Sequence, residues 1–285
     1  MTSAPAPAPV DLNTLLTRSW ALFKRCWIIV LPPFIAAAAI IVVLIVLVVV
    51  CVVAAVAHGN PDHWSGGFIA MLAGAYLGFI AFVLLASLWS AVTTYGMADA
   101  AWKRGTATLG DGMNAFGAHA GAAFVSGIGF AGLTILAFLL ILPTLGLSIL
   151  VLPFATMYVL PAVVSGGRGG FAAIRESFEL VRDFLGPSVI VYLVLYAIQY
   201  GISLVMILAI IPLEFATLPT GTDTMPHLPP IPLLGFSGGL SIVTTLALIA
   251  YNGFHTIALV GMYHSLLLQP RRRALPPAGG AIVSP

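Results

Sequence analysis

Residues 28–57 form a run of thirty in which no side chain is charged and none is more polar than Cys51. As a helix rising 1.5 Å per residue the run reaches about 45 Å, more than the ~30 Å hydrocarbon core of a bilayer. A second uncharged stretch, 112–167, is 56 residues long. Charged residues make up only 7% of the chain, against roughly 25% in soluble domains. Eleven Lys and Arg with nine Asp and Glu cannot clothe a 285-residue surface in water. The composition excludes a soluble enzyme, a disordered chain and a nucleic-acid-binding protein. It implies an integral membrane protein.

Ala55-Val56-Ala57 mimics a signal-peptide cleavage site, but the apolar run is about twice a usual h-region and reads as a retained helix. Uncharged segments of spanning length predict six helices, at about 34–57, 68–97, 120–141, 147–163, 187–211 and 238–268. Leu142-Pro143-Thr144-Leu145-Gly146 divides the third from the fourth, and Pro212 closes the fifth. A proline-rich loop (Pro219, Pro226, Pro229, Pro230, Pro232) precedes the sixth. Residues 1–10 are expected to be a disordered tail, 11–270 the membrane domain and 271–285 a cytoplasmic tail.

In this six-span scheme all eleven basic residues fall on one side, with six acids. The opposite loops hold only Asp62, Glu214 and Asp223. The positive-inside rule then puts both termini in the cytoplasm. Cys26 and Cys51 lie on one predicted helix about 37 Å apart, too far to bridge. Cys26 sits either as an acylation site or as a small apolar residue near the interface.

Two segments are amphipathic. Leu12, Leu16, Trp20, Phe23 and Trp27 share a face in 11–27, with Asp11 as N-cap. Phe171, Ile174, Phe178, Val181 and Leu185 do so in 171–185, with Arg175, Glu176, Glu179, Arg182 and Asp183 on the wet side. Arg175–Glu179 and Glu179–Arg182 have ion-pair spacing. Such helices lie in the interface with their apolar faces toward lipid. Ser19-Trp20-Ala21-Leu22-Phe23-Lys24 matches Ser177-Phe178-Glu179-Leu180-Val181-Arg182 in pattern, and a weaker third copy starts at Asp111 with Met113, Phe116 and His119. The expectation is a threefold parallel repeat, each unit an interfacial helix and two spans.

The opening segment, Asp11-Leu12 through Ser19-Trp20 to Lys24-Arg25, and the segment Ala172-Ala173-Ile174-Arg175-Glu176-Ser177-Phe178-Glu179-Leu180-Val181-Arg182 together resemble a bacterial membrane-protein group. That group includes the membrane domain of some glycerophosphodiester phosphodiesterases and stand-alone proteins of unknown function. The resemblance implies a six-helix domain in a bacterial cytoplasmic (inner) membrane. It does not imply phosphodiesterase activity, since the catalytic barrel has no counterpart residues here.

No HExxH, CxxC or phosphate-cradling GxxxxGK[ST] occurs, and no metal site, cofactor or catalytic residue is expected. Gly235-Phe236-Ser237-Gly238 mimics the rhomboid-protease serine motif, but His255 lies about 27 Å along the same predicted helix. Ser165-Gly166-Gly167-Arg168-Gly169-Gly170 opens a helix. With Arg175 and Arg182, Arg168 is a candidate contact for lipid phosphate, against a plain flexible turn. Neutral polar stripes stand out: Ser87, Ser90 and Thr94; Tyr192, Tyr196, Gln199 and Ser203; Ser241, Thr245, Asn252 and His255. They predict either interhelical hydrogen bonding or a polar cavity centred on Asn252, His255, Gln199 and Tyr196. Gly74 and Gly78 form a small-xxx-small pair, expected to serve packing rather than a dimer seam. The leading expectation is a non-catalytic integral membrane protein that binds or organises lipid, or a partner membrane or cytoplasmic protein. The alternative is a permease or exporter component.

Overall fold

The computed structural model describes residues 11–59, 65–217 and 231–269. The tails 1–10 and 271–285, Asp62, Asp223 and the prolines of 219–230 lie outside the described residues. Every regular element among the described residues is helical. The order is α1 (Leu12–Arg25), a 3-10 turn (Trp27–Val30), α2 (Leu31–His58), α3 (Gly66–Arg104), α4 (Leu109–Leu139), α5 (Leu147–Thr156), α6 (Val159–Val164), α7 (Phe171–Asp183), α8 (Leu185–Thr217) and α9 (Ile231–Leu267). Within α2, α3, α4, α8 and α9 lie five segments long and apolar enough to cross a membrane. Only helices and closed barrels satisfy every backbone group in lipid, so the chain is an all-α, multi-pass membrane protein.

Several boundaries differ from the hydropathy reading. Helix α8 runs on through Pro212 and α9 begins at Ile231, before the predicted start. In hydrocarbon a frayed helix end has no water to bond, so a single proline does not stop a helix as it does in solution. The predicted fourth span is not continuous, because α5 and α6 are separated at Met157-Tyr158. Pro153 and Pro161 each remove an N–H on either side of that break. Ser177 of α7 covers it. Its hydroxyl donates to the Ala155 carbonyl at 2.8 Å and accepts from the Tyr158 N–H at 3.1 Å. Helix α4 is unbroken from residue 109, so the predicted third interfacial copy at Asp111 is the first turn of a spanning helix. There Thr108 and Asp111 form a capping box.

Cys26 and Cys51 do not share a helix either: Cys26 caps α1 and Cys51 lies in α2. The chain bends at Cys26 (φ −112°, ψ 41°), and Cys26 is buried with its thiol 3.7 Å from the Gly105 carbonyl. A buried thiol under a turn is no acylation site. Phe184 bends the α7–α8 junction in the same way (φ −125°, ψ 46°). At both bends the N–H bonds four residues back, to Leu22 and to Leu180.

The amphipathic helices bury a face that periodicity did not single out. Helix α1 packs through Leu15, Ser19 and Leu22, and α7 through Ala173, Ser177 and Leu180. Trp20, Trp27, Phe171, Phe178 and Leu185 stay exposed. Two residues of the expected apolar face, Ile174 and Val181, are buried in the protein, and two of the expected wet side, Glu176 and Asp183, are buried as well. Glu176 is stabilised there by Arg168 (Nε–Oε2 2.6 Å) and by the Tyr263 hydroxyl (3.0 Å).

The core is concentrated at one end of the bundle, where α3 from Ser90 and α9 from Tyr251 meet α1, α6 and α7. Gly112 and Gly261 are among the glycines at close approaches. A Cβ at Gly112 would fall 2.4 Å from Thr93 Cγ2, and one at Gly261 would fall 2.5 Å from the Trp102 ring. Nothing lies within 4 Å of a Cβ at Gly74 or Gly78, so these two pack against no described element. The far halves of α2 and α3 expose apolar side chains such as Ile45, Val49, Val53 and Leu77, the surface expected of helices bathed in lipid.

The packed end is also the charged end. Arg18 donates to the Trp102 carbonyl at 3.2 Å and lies 4.2 Å from the centre of its ring. Asp99 is held by Lys103 (2.7 Å) and His264 (2.8 Å), and Arg104 reaches Asp111 across the α3–α4 turn (2.6 Å).

Candidate functional site

Helix α9 carries Asn252 and His255 on one side, three residues and roughly 100° × 3 of turn apart. Both line an open groove between α2, α3 and α9, bordered also by Leu160 of α6; Asn252 is exposed in it and His255 partly buried. His255 precedes His264 by nine residues, which places it about 13 Å from the charged end along the helix. Ser90 on α3 stands at the matching depth, nine residues before Asp99. These groups therefore lie well inside the apolar layer.

The cavity they line has a volume of about 490 Å³. Its α3 wall presents Ser87, Ser90, Thr94 and Tyr95, and its α2 wall the small residues Ala36 and Ala37. Thr94 donates to the Ser90 carbonyl (2.6 Å) and Thr256 to the Asn252 carbonyl (2.8 Å), so these hydroxyls are spent on their own helices. The Asn252 and His255 side chains have no hydrogen-bond partner among the described residues. His255 only stacks near Tyr251 (ring centres 5.6 Å apart), whose hydroxyl bonds the Leu195 carbonyl.

Two further lobes adjoin. One, of about 180 Å³, lies beyond His255 and is bounded by Tyr192, Tyr196 and Gln199 of α8. Tyr192, Tyr196 and Tyr200 form a ring ladder with centres 4.3 and 5.4 Å apart. The other, of about 540 Å³, lies between α3, α4 and the broken α5–α6 element. It shares Ser87, Ala91, Tyr95 and Leu160 with the first lobe. Its lining is mostly apolar: Leu88, Phe130, Pro153, Met157 and Val159.

Of the four residues predicted to centre the cavity, the structure joins Asn252 to His255 in one lobe and Tyr196 and Gln199 to His255 in another. Ser87, Ser90 and Thr94 do turn toward Asn252. Ser241, Thr245 and Ser203 line none of the three lobes. Sequence reasoning missed Tyr95, Thr256 and the α2 wall. The run Ala36-Ala37-Ala38-Ala39 was the available signal, since small side chains leave room beside a helix.

The three arginines do not converge on one point. Arg168 is engaged by Glu176, Arg175 by Glu179 (3.0 Å) and Arg182 by the adjacent Asp183 (3.4 Å). At the start of α7 the N–H groups of Ala172 and Ala173 are taken by the carbonyls of Gly169 and Gly170. Ser237 and His255 lie on the single helix α9, eighteen residues apart. No cluster of three metal-ligating side chains occurs among the described residues.

No family model matches the sequence, and neither curated proteins nor solved structures yield a match.

Proposed function

We propose that this chain is a non-catalytic integral membrane protein that binds lipid in the cavity between α2, α3 and α9. The observation that carries the reading is the pair Asn252 and His255: two polar side chains at bilayer depth, facing open volume, without a protein hydrogen bond among the described residues. A polar group in hydrocarbon is costly unless something bonds it, and a lipid's polar end supplies the missing partner. Discontinuous helices commonly border binding sites in membrane proteins, and the α5–α6 break borders this one.

Six passes in a bacterial inner membrane, with both termini cytoplasmic, complete the reading. The charged ends of α3, α4, α7 and α9 meet on one side, and α5 with α6 supplies about 24 Å of helical rise toward the return of the chain. The matched bends at Cys26 and Phe184, with Ser19 and Ser177 both fully buried, support two units of the proposed repeat. The likeness to the phosphodiesterase-associated membrane domain belongs to the same reading. Arg175 and Arg182, both well exposed, would meet anionic headgroups at the rim, as would the half-exposed Arg168.

A permease or exporter role is the second reading, favoured by the sharing of His255 between two lobes. Against it stand Val92, Met97, Ile257, Met262 and Tyr263, fully buried at the charged end.

Native mass spectrometry of the gently extracted full chain tests lipid binding. Wild type should carry lipid adducts, and Asn252→Leu with His255→Leu should lose most of them. A wild-type spectrum free of lipid overturns the proposal.

A further inference from the structure

We infer that the lipid held in this cavity is an uncharged amphiphile with a hydroxyl-bearing polar end, its chain in the apolar lobe and its polar end at Asn252 and His255. This rests on the lipid-binding reading above and names the class of lipid.

Away from the shared wall, the apolar lobe offers a ligand little that is polar. Ser87 and Tyr95 stand where it joins the polar lobe, and its other two hydroxyls are bonded to backbone: Ser126 to the carbonyls of Ala122 and Gly170 (2.9 Å each), and Thr156 to that of Leu152 (2.7 Å). At about 540 Å³ it is within the range that holds a small-molecule-sized hydrocarbon body. It meets the polar lobe along Ser87, Ala91 and Tyr95 of α3 and Leu160, with Ala91 the smallest of the shared side chains. A single bent molecule can therefore occupy the two lobes at once.

The polar lobe excludes charge by what it lacks in its lining. No Asp, Glu, Lys or Arg borders any of the three lobes. Along α3 the first basic residue past the lobe is Lys103, nine residues beyond Thr94 and about 13 Å away, and it is paired with Asp99. A phosphate at the depth of Asn252 would be desolvated without a cation, which is strongly unfavourable. Hydroxyls fit instead. An amide brings donors and an acceptor, and a neutral imidazole brings one of each. An alcohol, which both donates and accepts, can bond both. Phospholipids are left to the exposed arginines at the rim.

A neutral glyceride and a long-chain prenol share this chemistry, and the experiment separates them. The full chain is reconstituted in phosphatidylcholine nanodiscs. Diazirine-bearing photoprobes of diacylglycerol, polyprenol and phosphatidic acid are added, the first and last with identical chains, and adducts are mapped by peptide mass spectrometry. Saturable labelling of α3, α4 or α9 peptides is expected from one alcohol probe, at least about fivefold above phosphatidic acid. Asn252→Leu with His255→Leu should cut it about tenfold. Should that pair fail to fold, Ala91→Leu, which narrows the passage without touching a polar group, should abolish adducts in α4. Labelling by phosphatidic acid equal to or above both alcohols overturns the inference. So does native retention of phospholipid alone, which leaves lipid binding itself standing. Absence of every lipid, both in native spectra and in labelling, removes the two together.

Discussion

Glu176 is the residue on which the charged end turns. Its carboxylate is buried, bonded through one oxygen to Arg168 and through the other to the Tyr263 hydroxyl, and so ties the 165–170 turn and α7 to α9. Glu179, one turn along, pairs with an Arg175 that is 80% exposed. The sequence shows only the second pair, at i,i+4 spacing, and the two differ in surroundings. Exposed pairs contribute about 0–1 kcal/mol, because solvent screens them. Removing the charge from a buried, multiply bonded carboxylate costs about 1–3 kcal/mol, discounted here because Arg168 is itself half-exposed. Reversible unfolding in mixed micelles should therefore show Glu176→Gln clearly destabilised and Glu179→Gln within ~0.5 kcal/mol of wild type. Equal losses would sink the assignment.

At the scale of elements, α1 and α7 show what could be read beforehand and what could not. Hydrophobic periodicity located both helices, and their exposed aromatic side chains lie on the face it marked. It did not reveal the protein-facing stripe, because that stripe runs through small residues: Ser19 in one helix, Ala173 and Ser177 in the other. In lipid the most apolar face has no reason to seek the protein, and small side chains permit the closest helix contact. The same physics hid the α5–α6 break, since only the tertiary partner Ser177 makes it tolerable. The polar stripes, by contrast, announced the cavity wall, because neutral polar side chains among thirty-odd apolar ones are conspicuous. The start of α1 was also legible. Asp11 accepts from the Thr14 hydroxyl and from the N–H groups of Asn13 and Thr14, and these bonds hold its pKa below the usual carboxylate value. A depressed carboxylate contributes its full capping above the unfolded pKa, near pH 4, and loses it as pH falls through the lower folded value. Amide-exchange protection of α1 peptides, corrected for intrinsic rates, should fall in that window. Asp11→Asn keeps an acceptor at every pH and should flatten the response; an identical fall in both would remove Asp11 as the cause.

For the whole molecule, the question is one of parity. The ion pairs and hydrogen bonds that join α1 to α3, α3 to α4, α7 to α9 and α9 to α3 put the ends bearing Arg18, Lys103, Arg104, Arg168 and His264 together. A chain that leaves this end in α2 and returns in α3 must leave again in α4. It can begin α7 at the same end only if α5 and α6 bring it back. Neither is long enough alone, and five crossings would carry Arg175 and Arg182 to the opposite face from Lys103. The positive-inside rule favours basic residues on one side, and those ion pairs and hydrogen bonds hold these ends near one another. Single cysteines placed in a background lacking Cys26 and Cys51 can read the result. Thr17→Cys on α1 and Ala172→Cys on α7 are both exposed at the charged end, whereas Leu142→Cys lies in the α4–α5 turn. With a membrane-impermeant maleimide on intact cells, Leu142→Cys should react, and the other two should react only after the membrane is opened. Reaction of Ala172→Cys on intact cells, with Thr17→Cys protected, would mean that α5–α6 does not cross. The charged cluster joining α7 to α9 would then have to be abandoned along with the six-pass topology.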